Sequence, residues 1–537
     1  MMRHFSGTRP RMPSKFILVM VVCGLSTMVS AQSLANSFFT EPDTFPGFTT
    51  RVGPKALDLM SEYLRQRVGK FIKFGTIAYN LTVPLTPLVR FSLLSNGVSG
   101  FEANNFQSSL KVTPNKELLW TGANMKITVN SIYRVTSSAG EVTGSVPVTF
   151  DRSTVELALQ TAVNTDGHLK TDLQRCRVSL SELHFEFAQS DADLIRNYMP
   201  FIHRAVRDQV DNLLCPTFHA ELVPVISNRL MNTPMSAALF DHYFINYGLM
   251  GPLLYNHDGL ELRHRGNVFG ILRQGRTRLN DFRLPFRSAP LFSQPENKHM
   301  VSFQMSNYTL ASLMFWMDQY RKFDYEISKT SVNDSNIAGY LRTECGPQDI
   351  CAGTLFPALA AKFAKGVVNI KTHTVTFPHV RIENGKVKVI VDSRIDAFVS
   401  QPDKNRRFLT ANMLAELVLQ KVQFKDYTLT GKLNIDSFKI SDVVSLVDGI
   451  DANSIEFLIN ALNDLILNDE ISKKLKDGIK LPIVFDFEQA SSEIVLEADK
   501  MTIHADYCFE EGCKQAQPAA RVDQSQDMDV NYYDAAG

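Results

Sequence analysis

The sequence predicts an α+β protein built as two similar halves, each running helix, antiparallel sheet, helix. Three observations predict it. Apolar residues recur at helical spacing just after residue 53. Apolar and polar residues then alternate over long stretches. The same order of patterns returns after a Pro- and Arg-rich segment. At 537 residues the chain is too long for a single core, which fits two large units. No clean repeat by identity accompanies the recurrence, so the halves are inferred from pattern.

The first 31 residues read as a secretory signal. A basic stretch leads into the apolar run Phe16 to Val29, and Val29-Ser30-Ala31 supplies the small residues of a cleavage site. The run is about 14 residues, short for a membrane span; a retained anchor is the alternative. The segment holds Arg3, Arg9, Arg11 and Lys15 and no acid, which leaves 52 basic against 56 acidic residues beyond it. That balance lacks the basic footprint of a nucleic-acid binder and offers little to an anionic membrane.

Phe45-Pro-Gly-Phe48 reads as a turn and Thr49 to Val52 as a short extended piece. Gly53-Pro54 reads as a helix start, because proline suits the first helical position. Leu57, Met60, Leu64, Val68 and Phe71 then share one helix face. The period next changes to two. Met125, Ile127 and Val129 alternate, followed by Val146, Val148 and Phe150, by Val155, Leu157 and Leu159, and by Leu183, Phe185 and Phe187. Turn signals at Ser138-Ala-Gly140 and Thr165-Asp-Gly167 separate the runs, predicting antiparallel sheet with one buried face. A long helix is predicted from Ala192 to Leu214. Its stripe is Leu194, Tyr198, Ile202, Val206, Val210 and Leu214, and Pro200 should kink it.

Arg273 to Pro295 reads as a linker. Beyond it Ser306 can cap a helix carrying Leu310, Leu313, Met314 and Met317. Val387, Val389 and Val391, then Leu429, Leu433 and Ile435, alternate as strands do. Ile455, Leu458, Ile459, Leu462, Leu465 and Ile466 form a second amphipathic stripe, and Ile494, Leu496 and Ala498 mark a last strand. The tail from Gln515 has little apolar content and reads as disordered.

Cys23 lies in the leader, and six cysteines remain. An even number in a secreted chain favours disulfides. Proximity favours Cys345–Cys351 and Cys508–Cys513, which leaves Cys176–Cys215 as the long bridge. Asn80-Leu-Thr, Asn307-Tyr-Thr and Asn333-Asp-Ser are glycosylation sequons that fit secretion. The sequence holds no G-x-S-x-G, H-E-x-x-H, P-loop or G-x-G-x-x-G motif. His264, in "LRHRG", reads as a surface histidine. Cys508 and Cys513 with Glu510 and Glu511 give no usual zinc set. No enzymatic activity, cofactor or metal is expected.

This order of elements, with particular stretches, resembles the lipid-binding family of bactericidal/permeability-increasing protein, lipopolysaccharide-binding protein, phospholipid transfer protein and cholesteryl ester transfer protein. "PGFTTRVGPKALDL" looks like the family's start. Cys176 and Cys215 sit where its N-terminal bridge sits. "INYGL", Ile245 to Leu249, resembles its return into the central sheet, and "MVSFQMSNYTLASL" the opening of its second barrel. "LFPALAAKF" and "LTGKLNIDSFKI" follow in matching order. The resemblance covers residues 45–505. It implies a boomerang of two elongated twisted antiparallel β-barrels, each with packed amphipathic helices, joined by a central antiparallel sheet. The expected boundaries are 1–31 for the signal, 32–245 for the N-terminal barrel, 246–298 for the central-sheet segment and Pro/Arg-rich linker, 299–505 for the C-terminal barrel and 506–537 for the tail.

The resemblance also implies a secreted, extracellular, monomeric lipid carrier. Two apolar pockets would hold phospholipid acyl chains, and the protein would meet a membrane or lipoprotein surface transiently. Candidate pocket walls are Leu57, Leu64, Val68, Phe71, Ile202, Val206 and Val210 in the first half and Leu458, Leu462 and Leu465 in the second. Any one of them reads as plain core before it reads as lipid contact. The alternative is a lipopolysaccharide-binding protein of innate immunity, and a carrier of another apolar ligand without transfer is a third reading. The hairpin "KITVNSIYRVTSSAGEVTGSV" departs from the bactericidal member's basic tip: Lys126 and Arg134 are followed by Glu141, and residues 44–245 hold 19 basic against 17 acidic side chains. Lipid A phosphates call for several cations together. Residues 514–537 cannot form the terminal amphipathic helix of the cholesteryl ester transfer member, which favours phospholipid over neutral lipid.

Overall fold

The computed structural model describes residues 45–74, 79–102, 105–240, 243–256, 259–270, 284–291, 298–329, 335–346, 348–461, 470–480, 487–510 and 512–513. The expected leader and the tail from Gln515 lie outside them. The described fold is α+β. Two large, strongly bent antiparallel sheets, each with helices packed against it, are joined through a central antiparallel sheet.

The chain enters through β1 (Phe48–Val52) and turns at once into helix α1 (Pro54–Phe74), which Pro54 opens as expected. The first-half sheet follows. It contains β2 (Asn80–Thr86), β3 (Val89–Glu102), β4 (Gln107–Val112), β5 (Leu118–Ser137), β6 (Gly140–Val163), β7 (Leu169–Ser179) and β8 (Glu182–Phe185). Its order is β2-β3-β5-β6-β7, with β4 on β5 and β8 on β6. The runs at 146–150 and 155–159 belong to one strand, β6, rather than two. Their alternation is out of phase by one residue, and Arg152 at φ 49° sits between them. On β5 the buried face likewise shifts from Trp120 to Met125, across Asn124 at φ 58°. A one-residue slip would turn a whole apolar set outward, so the two irregularities keep one face buried while bending the strands.

Helix α1 lies over this sheet. Its Ser61 hydroxyl meets Ser108 Oγ at 2.5 Å, and Ser108 also accepts the indole N–H of buried Trp120 at 2.9 Å. Gly69 lets Phe101 close on the helix: a Cβ there would stand 3.2 Å from the ring.

The predicted helix 192–214 is broken into pieces. Gln189–Ile195 is followed by a 3₁₀ turn, Arg196–Tyr198, then α2 (Met199–Asp208), α3 (Val210–Thr217), a π turn at Phe218–Leu222 and α4 (Val223–Met231). Pro200 starts a helix rather than kinking one, which suits a residue that has no N–H to give. The break falls at Gln209 instead (φ −110°, ψ 8°). The apolar stripe survives the breaks, since Ile202, Val206, Val210 and Leu214 are all buried.

Next come β9 (Ser236–Phe240), β10 (Tyr243–Asn246), β11 (Leu254–Asn256), β12 (Gly259–His264), β13 (Val268–Gly270) and β14 (Val301–Ser306). Strands β13-β10-β9 form a small sheet of their own, so Ile245 joins this sheet and not the central one. The central sheet runs β11-β12-β1-β14-β23-β22, where β22 is Glu488–Glu497 and β23 is Lys500–Cys508. It therefore draws on four distant stretches of sequence. The Pro/Arg-rich linker is partly docked: Phe286 packs edge-on against Tyr308 and Phe315, and the Ser288 hydroxyl donates to the Phe45 carbonyl at 2.5 Å.

His264 is not a surface histidine. It packs against Phe48, donates from Nδ1 to the Tyr247 carbonyl at 2.7 Å and accepts from the Thr50 hydroxyl at 3.1 Å. Burial pushes its pKa down to about 4, and the bond to Tyr247 only partly opposes this.

The second half opens with α5 (Asn307–Gln319), which packs on β13 and β10 of the small sheet, on β17 (His379–Glu383) of the large one and on β14 of the central one. Ser306 occupies the N-cap position, but its hydroxyl donates to the Gly47 carbonyl at 3.1 Å instead of capping. The sheet contains β15 (Tyr325–Ile327), β16 (Val367–Thr374), β17 (His379–Glu383), β18 (Lys386–Gln401), β19 (Lys404–Lys425), β20 (Thr428–Ser445) and β21 (Ile479–Lys480). Its order is β15-β16-β18-β19-β20-β21, with β17 on β18. Two short helices, α6 (Ala352–Leu355) and α7 (Pro357–Lys362), and the helices α8 (Ala452–Ala461) and α9 (Glu470–Asp477) pack on it.

All three expected disulfides are formed: Cys176–Cys215, Cys345–Cys351 and Cys508–Cys513. The first ties β7 to α3 across a sequence separation of 39. Replacing both of its cysteines by serine is expected to cost about 3–4 kcal/mol of stability in the chain-entropy picture, read by urea unfolding. A second expectation concerns pH. A histidine whose folded pKa lies below its unfolded value of about 6.5 contributes stability that is full above that pH and is lost as pH falls towards 4. The unfolding midpoint should therefore drop across this window, and His264→Phe should flatten the slope. An unchanged slope refutes the assignment. His203, lowered by burial in the same direction, retains its share in that variant.

Candidate functional site

The register of the second-half sheet stacks apolar side chains in rows. Val387, Val389 and Val391 on β18 face Leu419, Leu417 and Ala415 on β19. Those three face Leu433, Ile435 and Phe438 on β20. On the other side Ile395 and Ala397 face Thr372 and Ile370 on β16. Alternation along each strand sends all of these to one face, and the curl of the sheet makes that face concave.

A cavity fills the concavity, with an empty volume of about 1960 Å³, part of it open to solvent. Leu310, Leu313 and Met314 of α5 wall one side. Ala352 of α6, Leu359 of α7, Phe356 between them, Ile455 of α8 and Leu475 of α9 cover the rest. Of the 32 described residues that line it, none is charged, and Tyr325, Thr372 and Ser393 are the polar ones. Such a wall offers no general acid, base or nucleophile pair. It can exclude water and accept apolar matter.

The covering helices are fixed by Thr343, which is fully buried. Its hydroxyl donates to the Phe363 carbonyl at 2.6 Å and accepts the Gly366 N–H at 2.7 Å. Gly353 is pressed onto the same residue, since a Cβ there would stand 1.9 Å from the Thr343 carbonyl oxygen. Cys345–Cys351 closes the loop that leads into α6.

None of the six candidate pocket residues whose side chains are described lines this cavity. Leu57, Val68, Ile202, Val206 and Val210 are buried in one core cluster with the first-half sheet, and Leu64 packs half-buried against it. The side chains of Phe71 and Leu458, and all of Leu462 and Leu465, lie outside the described residues. The sequence reading missed the strand residues as site residues although it named Val387, Val389 and Val391. The signal was available: β18 buries every odd position from Val387 to Val399, an unusually long one-sided run. Among the sequons, Asn80 is exposed, the Asn307 amide donates to Asp499 at 3.0 Å, and Asn333 lies outside the described residues.

Two clusters outside the cavity carry possible metal ligands. Glu488 lies with Cys508 and Cys513, whose sulfurs are joined to each other. Asp151, Glu182 and His184 converge on the first-half sheet, where Arg152 already pairs with Glu182 at 3.0 Å.

Replacing Thr343 by valine keeps the shape and removes the hydroxyl. Buried groups of Phe363 and Gly366 then lose a partner, and a loss of about 2 kcal/mol is expected from chemical unfolding. Thr343→Ser, which keeps the hydroxyl, should cost clearly less.

The comparisons with known proteins bear on the same geometry. Residues 238–509 match the model of the "LBP / BPI / CETP family, C-terminal domain", a span that includes the whole cavity. Bactericidal permeability-increasing protein of Rattus norvegicus is 19% identical over 469 residues, which cover 86% of this chain and 94% of that protein. Lipopolysaccharide-binding protein of Homo sapiens is 21% identical over 479 residues, covering 86% and 92%. A crystal structure of lipopolysaccharide binding protein superposes with a TM-score of 0.54 at 16% identity, covering 87% of this chain and 99% of that one. At such identity the superposition speaks for the fold, and it agrees with the boomerang of two bent sheets and a central one. The chain belongs to the LBP/BPI/CETP family.

Proposed function

We propose that this protein binds phospholipid acyl chains in the second-half cavity and carries them between lipid surfaces. The observation that supports this reading is the wall itself: a large concave space whose described lining holds no charge. An empty apolar space is costly, because its lining forgoes the contacts a packed core would make. Acyl chains restore those contacts. A diacyl lipid carries roughly 30 methylenes, and at about 0.8 kcal/mol each, drawing it bare into water costs on the order of 20 kcal/mol. A closed pocket removes most of that cost without chemistry, so no catalytic step is needed. Three disulfides suit an oxidising, extracellular setting. Among the described residues no helix is long and apolar enough to cross a membrane.

Phospholipid is preferred to lipopolysaccharide because the cations of the first-half hairpin are engaged. Lys126 pairs with Glu102 at 2.8 Å, and Arg134 with Glu141 at 3.0 Å. The first-half candidates keep a role in the proposal as a second site: Leu57, Leu64, Val68, Ile202, Val206 and Val210 would admit a chain where α1 and α2 part from the sheet.

The test compares two tryptophans. Ala415 faces the cavity, so Ala415→Trp should reduce bound phospholipid, measured by lipid mass spectrometry, with little change in melting temperature. Val68→Trp enters a closely packed cluster and is expected to cost about 1–3 kcal/mol. It should lower lipid content only if the first half also holds lipid. Delipidated wild-type protein that takes up no phospholipid from vesicles would remove the reading.

A further inference from the structure

Phe356 has an unusual place. It is the C-cap of one short helix and the N-cap of the next, with φ −128° and ψ 82°, so α6 and α7 meet at its Cα. Its N–H donates to the Ala352 carbonyl at 2.9 Å, and its own carbonyl accepts the Leu359 N–H at 2.9 Å. The backbone is thus held from both sides while the side chain stands at the joint. That side chain lines the large cavity. It also lines a separate, open surface crevice formed with Leu355 and with Asn453, Ser454 and Phe457 at the start of α8. One ring is therefore the shared wall between the apolar interior and the outside.

The crevice has the character of a way through. Phe356 is 8% exposed, and Phe457 beside it is 62% exposed, a large aromatic left in water at the outer rim. Ile455, two residues before Phe457, lies on the cavity side of the same helix, so the α8 N-terminal turns carry apolar side chains on both the inner and the outer approach. The two walls hang from different elements and are bonded to each other where Lys362 Nζ of α7 donates to the Leu446 carbonyl just past β20. Thr343 and Gly366 hold α6 and α7, whereas α8 is attached to β20, where Glu456 accepts the Ile440 N–H at 3.0 Å. Rotation of a phenylalanine about χ1 needs no backbone change.

We propose that the Phe356 ring is the gate of a portal between α6–α7 and α8, through which the end of a phospholipid acyl chain passes between a lipid surface and the cavity. The proposal rests on the lipid-binding reading above. The occupant is an acyl chain because the crevice is continuous, through one side chain, with an interior that has no charged lining. Leu355 and Phe457 are the rim that such a chain would slide over.

The experiment measures the rate and the end point of uptake separately. Phosphatidylcholine vesicles carrying a self-quenched, acyl-labelled phosphatidylcholine are mixed with the delipidated full chain, and fluorescence is followed to its plateau. Asn453→Trp places bulk in the crevice at an exposed position outside the cavity lining. It should slow uptake at least threefold and leave the plateau unchanged. Phe356→Ala removes the gate and should speed uptake. Because that ring is also core, the variant can fail to fold, in which case Asn453→Trp decides alone. An unchanged rate in Asn453→Trp, a lowered plateau at unchanged rate, or slower uptake in a folded Phe356→Ala overturns the portal. Failure of the wild-type chain to take up any lipid is a different result, and it overturns the binding reading first.

Discussion

Strand β1 is hydrogen-bonded along both edges. Over five residues it pairs with β12 on one side and β14 on the other, so that Val52 stands between Leu260 and Val301, and Phe48 between His264 and Met305. These partners are more than 200 residues away along the chain. Every backbone donor and acceptor in so short a segment is already committed to regular geometry, which fixes where α1 leaves the sheet and how each half departs from the centre. Gly47 and Gly266 permit this crowding: a Cβ on Gly266, at φ 68°, would stand 2.5 Å from the Phe48 nitrogen. The rest of the molecule hangs from this join.

The two large sheets share a plan yet differ inside, and side-chain volume is the reason. On the first-half inner face stand Phe91, Trp120, Tyr133 and Phe150, all buried almost completely. On the second-half inner face the corresponding run is Val387, Val389, Val391, Ser393, Ile395 and Ala397, opposite Ala411 and Ala415. Large rings reach across a bent sheet to its covering helices. Small aliphatic groups stop short and leave space. Among the described residues, the small side chains of the second half leave the cavity, while the rings of the first half fill more of the space beneath their sheet.

Much of the fold was legible. Proline at the first helical turn, long alternating runs and an even set of cysteines carry local physics that neighbours seldom override, and each marked a real element. The shortfalls have local causes too. The β5 and β6 bends depend on Asn124 and Arg152 adopting positive φ, a choice no periodicity announces. The helix after residue 189 breaks at Gln209, an ordinary helix former, because Cys215 is tied to β7 and Asp211 bonds the Val178 N–H there. Strand β23 was overlooked since "KMTIHADYC" mixes polar and apolar residues between two covered faces. The cavity was the least readable feature. Helix stripes look alike whether they face core or void, and only the cross-strand register shows which small side chains stand opposite each other.

The position of β23 has a consequence for biosynthesis. The first-half strands pair with near neighbours in sequence, so that sheet can close while the remainder is still being made. The central sheet cannot. Its β14 has β1 on one side and waits for residues 500–508 on the other, and β22 joins only through β23. Until residues 500–508 have been made, β14 presents an open edge, with Val301, Phe303 and Met305 along it, in the compartment where the nascent protein folds. Of the described strands, the last to be synthesised is thus the one that seals the oldest join, and a chain that stops short of it keeps a sticky edge at the centre of the molecule rather than a frayed end.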